Sequence, residues 1–381
     1  MLNVKEQDKA WVKEALDKVV KKLTVTSDEI KTCFPYTTQN GKYETTVQEL
    51  PQDEVCWWTN GFWAGMMWLM FLQTGDEKFK AKAERCEKEL DEAFADYNRL
   101  HHDVGFMWLL SAVADYRITK NPESRKRGLL AADILAARYN MVGEYIRAWG
   151  SGEVNKGYAI IDCMMNIPLL YWASDEIGDP RYSYIAQKHA QTTMKHHIRP
   201  DGSSNHIVIF DQDNGEILDK PTGQGYAPGS SWSRGQAWAL YGFILSYIHS
   251  GNEEFLNVAK QVAHYFIANI ADDGSVARCD FRAPEDPVIY DSTAGVTAAC
   301  GLIEIAKAVG EYESEFYIKN AIKILRATEE RFCDWSTEEQ SIVQMGTGSY
   351  HGKAHHYPII YGDYYFIEAL MKLNGNEKLF W

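Results

Sequence analysis

Several things are scarce in this sequence, and each scarcity removes a class of protein. The seven cysteines, at positions 33, 56, 86, 163, 279, 300 and 333, are scattered, odd in number and without a CxxC pair. That argues against a disulfide framework and against a zinc site, and fits reduced thiols. No uncharged stretch reaches the ~20 apolar residues of a bilayer span, and residues 1–9 are polar and charged, unlike the apolar centre of a secretion signal. Positive charge is also short: 39 Lys plus Arg stand against 53 Asp plus Glu, a formal net charge of −14. This speaks against a nucleic-acid or anionic-membrane partner, but not against a small anionic ligand held by a local Arg or a helix N-terminus. His196-His197 and His355-His356 lack ligand spacing and partners, so no metal is expected. A soluble cytoplasmic protein is the expectation.

What is present is apolar and aromatic. Hydrophobic residues make up 45% of the 381, enough for a sizeable core, and 12 Trp and 22 Tyr supply flat faces with polar tips. These residues are laid out in alternation. Uncharged stretches at 61–72, 104–113, 163–174, 236–249 and 293–303 are separated by charged stretches with an apolar stripe at 77–97, 122–139, 181–197, 253–270 and 311–332; residues 361–373 close the series, and residues 4–25 form another such stripe. The turns between them use Gly75-Asp76, Asn121-Pro122, Gly178-Asp179-Pro180, Gly251-Asn252 and Gly310, which stop one helix and cap the next. An uncharged helix must be buried all round, whereas an amphipathic one can face water. About twelve such helices predict an all-α (α/α)6 barrel in one domain, uncharged helices inside and amphipathic ones outside. A stacked solenoid would not need every second helix to be so free of charge. Residues 26–57 read as a long surface loop, and 203–210 and 275–282 as short hairpins or extended segments.

Polar residues gather where the uncharged helices begin: Trp58-Thr59-Asn60, His101-His102-Asp103, Asp162, Ser231-Trp232-Ser233-Arg234, Asp291-Ser292-Thr293 and Gly362-Asp363-Tyr364. In such a barrel the inner helices run parallel, so all six starts meet at one mouth, with their positive dipole ends around one pocket. Paired carboxylates at a sugar-sized, aromatic-rich mouth suggest glycoside chemistry, with one acid and one base. Arg234, and Gln224 in the preceding Gly-rich loop, are placed to grip an anionic group. Asp291 and Asp363 read as helix caps, and His101 as support for its neighbours rather than a reacting group.

At these residues the sequence resembles a known family, the unsaturated glucuronyl hydrolases of glycoside hydrolase family 88. The resemblance is carried, in order, by Trp58-Thr59-Asn60-Gly61-Phe62-Trp63, His101-His102-Asp103-Val104-Gly105-Phe106, Ala148-Trp149-Gly150, Ile160-Ile161-Asp162-Cys163-Met164-Met165-Asn166, Arg234-Gly235-Gln236-Ala237-Trp238 and Tyr361-Gly362-Asp363-Tyr364-Tyr365. It implies the (α/α)6 barrel reached from the periodicity, no cofactor, and a small anionic disaccharide as substrate, made by a polysaccharide lyase and bearing a C4=C5 double bond. It also implies hydration of that vinyl ether, with Asp162 as the acid that protonates C4 and then the base for water. Asp103 would hold substrate hydroxyls and influence the protonation of Asp162. Trp58, Trp149 and Trp238 would be ring-contacting walls, His206, Gln224 and Arg234 polar contacts, and Tyr350 the closure of the pocket. Lys353, in the basic run that follows, is a candidate for holding a sulfate. Rival readings are an unsaturated rhamnogalacturonyl hydrolase, a sugar epimerase on the same barrel, which would need paired His bases, and a non-catalytic sugar-binding barrel.

Overall fold

The computed structural model describes residues 2, 4–43, 54–150, 155–378 and 380–381. Among these, twelve principal helices alternate between an outer and an inner ring. The outer ones are α1 (Glu6–Glu29), α3 (Glu77–Leu90), α5 (Pro122–Ala136), α7 (Arg181–His196), α9 (Glu253–Ile270) and α11 (Glu311–Phe332). The inner ones are α2 (Phe62–Thr74), α4 (Val104–Trp108, continuing through a π-helical turn, Leu109–Val113, into Ala114–Thr119), α6 (Pro168–Ile177), α8 (Ser233–Ser250), α10 (Ser292–Ala308) and α12 (Ile360–Leu373). Inner neighbours pack side by side in chain order, and α12 closes the ring against α2.

Charge patterning sets this division. Every residue of α12 is buried, and so are the first nine of α2, so neither could sit beside water. The outer α3 buries only Phe79, Ala83, Cys86, Glu87 and Leu90, a stripe at helical spacing. The turns follow their sequence signals. Gly75, Gly178 and Gly251 adopt left-handed φ of 70°, 69° and 70°, ending their helices. Asp76, Asn121 and Asn252 then accept backbone N–H bonds two residues on, from Lys78, Glu123 and Glu254. Lys120 takes the left-handed position without a glycine, at φ 64°.

Helices cross so closely at the mouth that side chains are excluded. A Cβ on Gly61 would lie 2.2 Å from the Phe106 carbonyl oxygen, and one on Gly105 would lie 2.5 Å from the Asn166 Cα. This locks the starts of α2, α4 and α6 together. Small sheets pack around the same end. β3 (Tyr139–Asn140) pairs with β4 (Tyr145–Ile146), and β5 (Tyr158–Ile160), β6 (Ile207–Phe210) and β7 (Ile217–Asp219) form an antiparallel sheet.

The structure adjusts the expected boundaries. Helix α1 runs to Glu29, inside the expected loop, which also holds a hairpin of β1 (Thr38–Gln39) and β2 (Lys42–Tyr43); its residues 44–53 lie outside the described ones. Strand β6 falls within 203–210, while 275–282 contributes only isolated bridges from Arg278 to Tyr290 and from Asp280 to Trp232. The third inner helix begins at Pro168 rather than at 163, because 161–165 forms a 3-10 turn that carries Asp162.

Candidate active site

Asp103 precedes α4 in the position of an N-cap, yet its side chain makes no capping bond. Asn166 does that work instead: its Oδ1 accepts the Phe106 N–H at 2.8 Å. The Asn166 Nδ2 donates to Asp103 Oδ1 at 3.0 Å and to the Asp162 carbonyl at 3.1 Å. One amide thus caps the helix, frees the Asp103 carboxyl from that task, and ties together the two segments that bear the carboxylates. Both side chains keep a little exposure, 11% for Asp103 and 15% for Asp162. Burial, and then the neighbouring Asp162 charge, push the Asp103 carboxyl well above the ordinary carboxylate range, against the Asn166 bond and the Arg138 cation. Both causes favour the protonated form of this carboxyl.

Each carboxylate faces a histidine. His102 Nε2 lies 3.2 Å from Asp103 Oδ1, and His206 Nε2 lies 3.3 Å from Asp162 Oδ1. Both imidazoles accept a backbone N–H at Nδ1: His102 from Trp149 at 3.1 Å and His206 from Gln224 at 3.0 Å. In a neutral ring this leaves the proton on Nε2. His101 accepts the Asp103 N–H at Nδ1 (3.4 Å). Burial, then Arg138, lower His101 to about 4, and burial, followed by His101 and Arg138, lowers His102 well below the ordinary imidazole range. His101, His102 and Asp103 each bring a donor atom within 4.8 Å of the others. With Nδ1 of both rings already taken by backbone N–H groups, the remaining ring nitrogens are N–H donors, suited to a carboxylate rather than to a cation.

The loops around Gln224 and Tyr350 are laced together. Gln224 Nε2 donates to the Gly348 carbonyl at 2.6 Å, and the Tyr350 N–H donates to the Gln224 carbonyl at 2.9 Å. Arg234, almost wholly buried, bonds Asp291 Oδ2 and the Thr347 and Gly348 carbonyls. Its guanidinium sits 4.6 Å from the Trp232 ring centre and 5.5 Å from that of Tyr361. In this arrangement the Arg234 fork holds the segment leading to Tyr350. Asp291 caps α10 through the Thr293 N–H, as expected, and also neutralises Arg234. Asp363 does not cap α12; its carboxylate accepts the Ile342 and Val343 N–H groups and so anchors the return loop.

Of the three tryptophans, Trp58 and Trp149 are partly exposed at the mouth. Trp58 packs on Phe106 and Tyr361, with ring centres 5.2 and 5.1 Å away. Trp149 meets His102 edge-on at 6.1 Å. Trp238 is wholly buried beneath Phe106 and Tyr361, so it backs the floor instead of forming a wall. The residues picked from the sequence are brought to one mouth, apart from Trp238 and from Arg234, whose buried fork is spent on Asp291, Thr347 and Gly348 and so supports the site from behind where the sequence suggested a grip on an anionic group. Sequence reasoning left Asn166, His102 and Arg138 without a role. Asn166 lay inside a quoted motif, and its position four residues after Asp162 on a helical turn was the available signal.

The sequence profile of glycosyl hydrolase family 88 matches residues 26–279. The unsaturated glucuronyl hydrolase of Bacillus sp. (strain GL1) is 38% identical over 334 residues, covering 85% of this chain and 88% of that protein. A crystal structure of that protein, described as responsible for the degradation of glycosaminoglycan, superposes with a TM-score of 0.88 at 34% identity and covers 96% of this chain and 97% of its own. A mutant unsaturated glucuronyl hydrolase from Streptococcus agalactiae, complexed with dGlcA-GalNAc6S, superposes with a TM-score of 0.81 at 30% identity, covering 100% of this chain and 95% of its own.

Proposed function

The chain belongs to glycoside hydrolase family 88, and on that premise we propose that it releases the 4,5-unsaturated glucuronyl residue from the non-reducing end of lyase-generated glycosaminoglycan disaccharides. Among the substrates of its relatives, the sulfated unit dGlcA-GalNAc6S combines an unsaturated uronate with an amino sugar. The observation that carries the reading is the pair Asp103 and Asp162, tied by one amide at a tryptophan-rimmed mouth.

The chemistry uses that pair. Two adjacent carboxyls resist joint ionisation, so the site retains a proton. A bound uronate adds a third negative group, and the substrate complex takes up a second proton, carried by Asp162, beside the one that Asp103 keeps. Asp162, the more exposed of the two, then delivers a proton to C4 of the vinyl ether. Positive charge develops at C5 and the ring oxygen, and Asp162, now ionised, takes a proton from the water that adds at C5. The resulting hemiketal opens to a ketone at C5. C1 is left as a hemiacetal, which collapses and frees the next sugar. Asp103, kept neutral by its surroundings, donates to a substrate hydroxyl. Trp58 and Trp149 stack on the sugar faces, and Tyr350 covers the pocket. Lys353, exposed three residues beyond Tyr350, is the candidate for meeting a sulfate on the second sugar.

The assay follows the ultraviolet absorbance of the conjugated C4=C5 bond in unsaturated chondroitin, heparin and rhamnogalacturonan disaccharides. Loss of the band with a glucuronyl substrate supports the proposal, and loss confined to the rhamnogalacturonan substrate would replace it. Lys353→Ala should lower kcat/KM for a sulfated disaccharide and spare the unsulfated one.

A further inference from the structure

We propose that His102 is a positioning residue: its Nε2–H fixes which oxygen of Asp103 stays free, and the backbone of Trp149 sets its tautomer. The His102 side chain is completely buried.

Three observations converge on it. First, the His102 Nδ1 accepts the Trp149 N–H at 3.1 Å, which commits the neutral ring to a proton on Nε2. Second, that amide is aimed inward by an unusual backbone. Trp149 adopts φ 50°, in the left-handed region that a bulky side chain seldom occupies. It is held there from both sides, by His102 at its N–H and by Arg138, whose guanidinium donates to its carbonyl. Arg138 also donates to the carbonyls of Arg147 (2.9 Å) and Leu100 (3.3 Å). It therefore clamps the strand end that carries Trp149 to the residue before His101. Third, the His102 Nε2 is a buried donor that lies 3.2 Å from Asp103 Oδ1 without the alignment of a hydrogen bond. A donor sealed from water and left unpartnered beside a reacting group marks a bond made at another stage.

The consequence is local and specific. Asp103 Oδ1 faces two N–H donors, Asn166 Nδ2 and His102 Nε2. The acidic proton is thereby confined to Oδ2, which lies 3.5 Å from His101 Nδ1. When a sugar draws Asp103 into line, the His102 bond closes and Oδ2–H is presented to the substrate. Because the ring is held by the amide of a residue expected to stack on the sugar, substrate seating and carboxyl orientation are mechanically joined. The titratable and charged groups around Asp103 and His102 are Asp162, His101, Arg138, Cys163, His189 and His206. Among them only His102 offers an N–H to Oδ1.

The inference rests on the proposed function, so wild-type turnover of an unsaturated disaccharide is established first. His102→Asn and His102→Gln are then profiled for kcat and KM across about pH 5–9. In the Asn variant the amide oxygen overlies Nδ1 and keeps the Trp149 bond, while the donor at Nε2 is gone. In the Gln variant the amide nitrogen reaches the Nε2 position. We expect His102→Asn to lower kcat about 30-fold with KM within about threefold, a split typical of an interaction made in the transition state. Loss of a donor to the carboxyl should also raise the basic limb of its profile by about half a unit or more. The Gln variant should recover most of kcat and return the limb. Equal losses in both variants with an unmoved limb, or an Asn variant indistinguishable from wild type, overturn the proposal. If the Asn variant fails to fold, long-range ¹H–¹⁵N spectra of the wild-type protein decide. A His102 ring protonated at Nε2 alone throughout this pH range upholds the assignment, and protonation at Nδ1 overturns it.

Discussion

Two of the barrel's buried charge clusters, one at each end of the inner helices, are built on opposite terms. At the far end, near the C-termini of α10 and α12, Lys372 Nζ meets Glu304 Oε1 at 2.7 Å, Glu368 Oε1 at 2.9 Å and the Tyr241 hydroxyl at 2.7 Å. Trp381 completes this cluster through its indole N–H to Glu368 Oε2 at 3.0 Å. Burial alone would raise the Glu304 carboxyl, yet Lys372 and Lys307 hold it below the usual range, and the two glutamates hold Lys372 above its own despite burial. At the mouth, burial and a like charge win, and Asp103 goes the other way. The far cluster has its hydrogen bonds made; the mouth leaves His102 Nε2, His206 Nε2 and Asp162 Oδ1 without them. Equal burial therefore says little. A cation bonded to buried carboxylates turns them into structure, whereas at the mouth Arg138 spends its bonds on backbone carbonyls and donors are left over beside the carboxyls, which makes a site.

Three substitutions sharpen this contrast. The largest effect belongs to Asp162→Asn, which should cut kcat by about 10³-fold or more while leaving affinity and the melting temperature near wild type. Retained turnover would remove Asp162 from its proposed role. At the far end, Lys372→Met strands two buried glutamates, a change that typically costs about 3–5 kcal/mol. Scanning calorimetry should show a loss of roughly 5 °C, with kcat per folded molecule unchanged. A fall in kcat without a fall in stability would mean that the two ends are not separate. A smaller effect is expected at the rim. Trp58→Ala removes one stacking face and should raise KM about tenfold with little change in kcat, as initial rates over a range of disaccharide concentration would report.

The sequence disclosed these regions unequally. The alternation of uncharged and striped segments marked eleven of the twelve principal helices, because whether a helix can face water is written in its own residues; α12, which carries Asp363, Glu368 and Lys372, was marked only by its place at the end of the series. The meeting of Asp103 and Asp162 followed from the same argument, since parallel inner helices must begin at one end. Arrangements that depend on loops were not legible. The strands of the β3–β4 hairpin are two residues long, too short for any alternation to register. The left-handed Trp149 depends on Arg138 and His102, both distant in the chain, and Asn166 takes over a capping bond that local preference assigns to Asp103. The π-helical turn in α4 has no sequence mark that we can identify. Trp238 read as a wall because its neighbours are wall residues, and only packing shows Phe106 and Tyr361 in front of it.

The smallest predicted effect is the one most particular to the mouth, and it concerns stability. A carboxyl whose folded-state pKa lies above its unfolded value of about 3.9 keeps its proton while the unfolded chain gives it up. Between those two values the folded state binds more protons, so stability falls as pH rises through that window. Asn in place of Asp103 retains an oxygen for the Asn166 amide and has no proton to lose, so it escapes this cost. Asp103→Asn should therefore melt at the wild-type temperature near pH 4 and roughly 1–3 °C above it near pH 7, the gain growing with pH. The far cluster predicts the reverse sign for its own acid: Glu304, held low, contributes stability that is present at neutral pH and lost as the solution is acidified. Melting curves of wild type, Asp103→Asn and Glu304→Gln over that range thus set the two ends against each other in one experiment. A stability gain for Asp103→Asn that did not grow with pH would mean that this carboxyl is not held protonated, and the distinction between the two clusters would collapse.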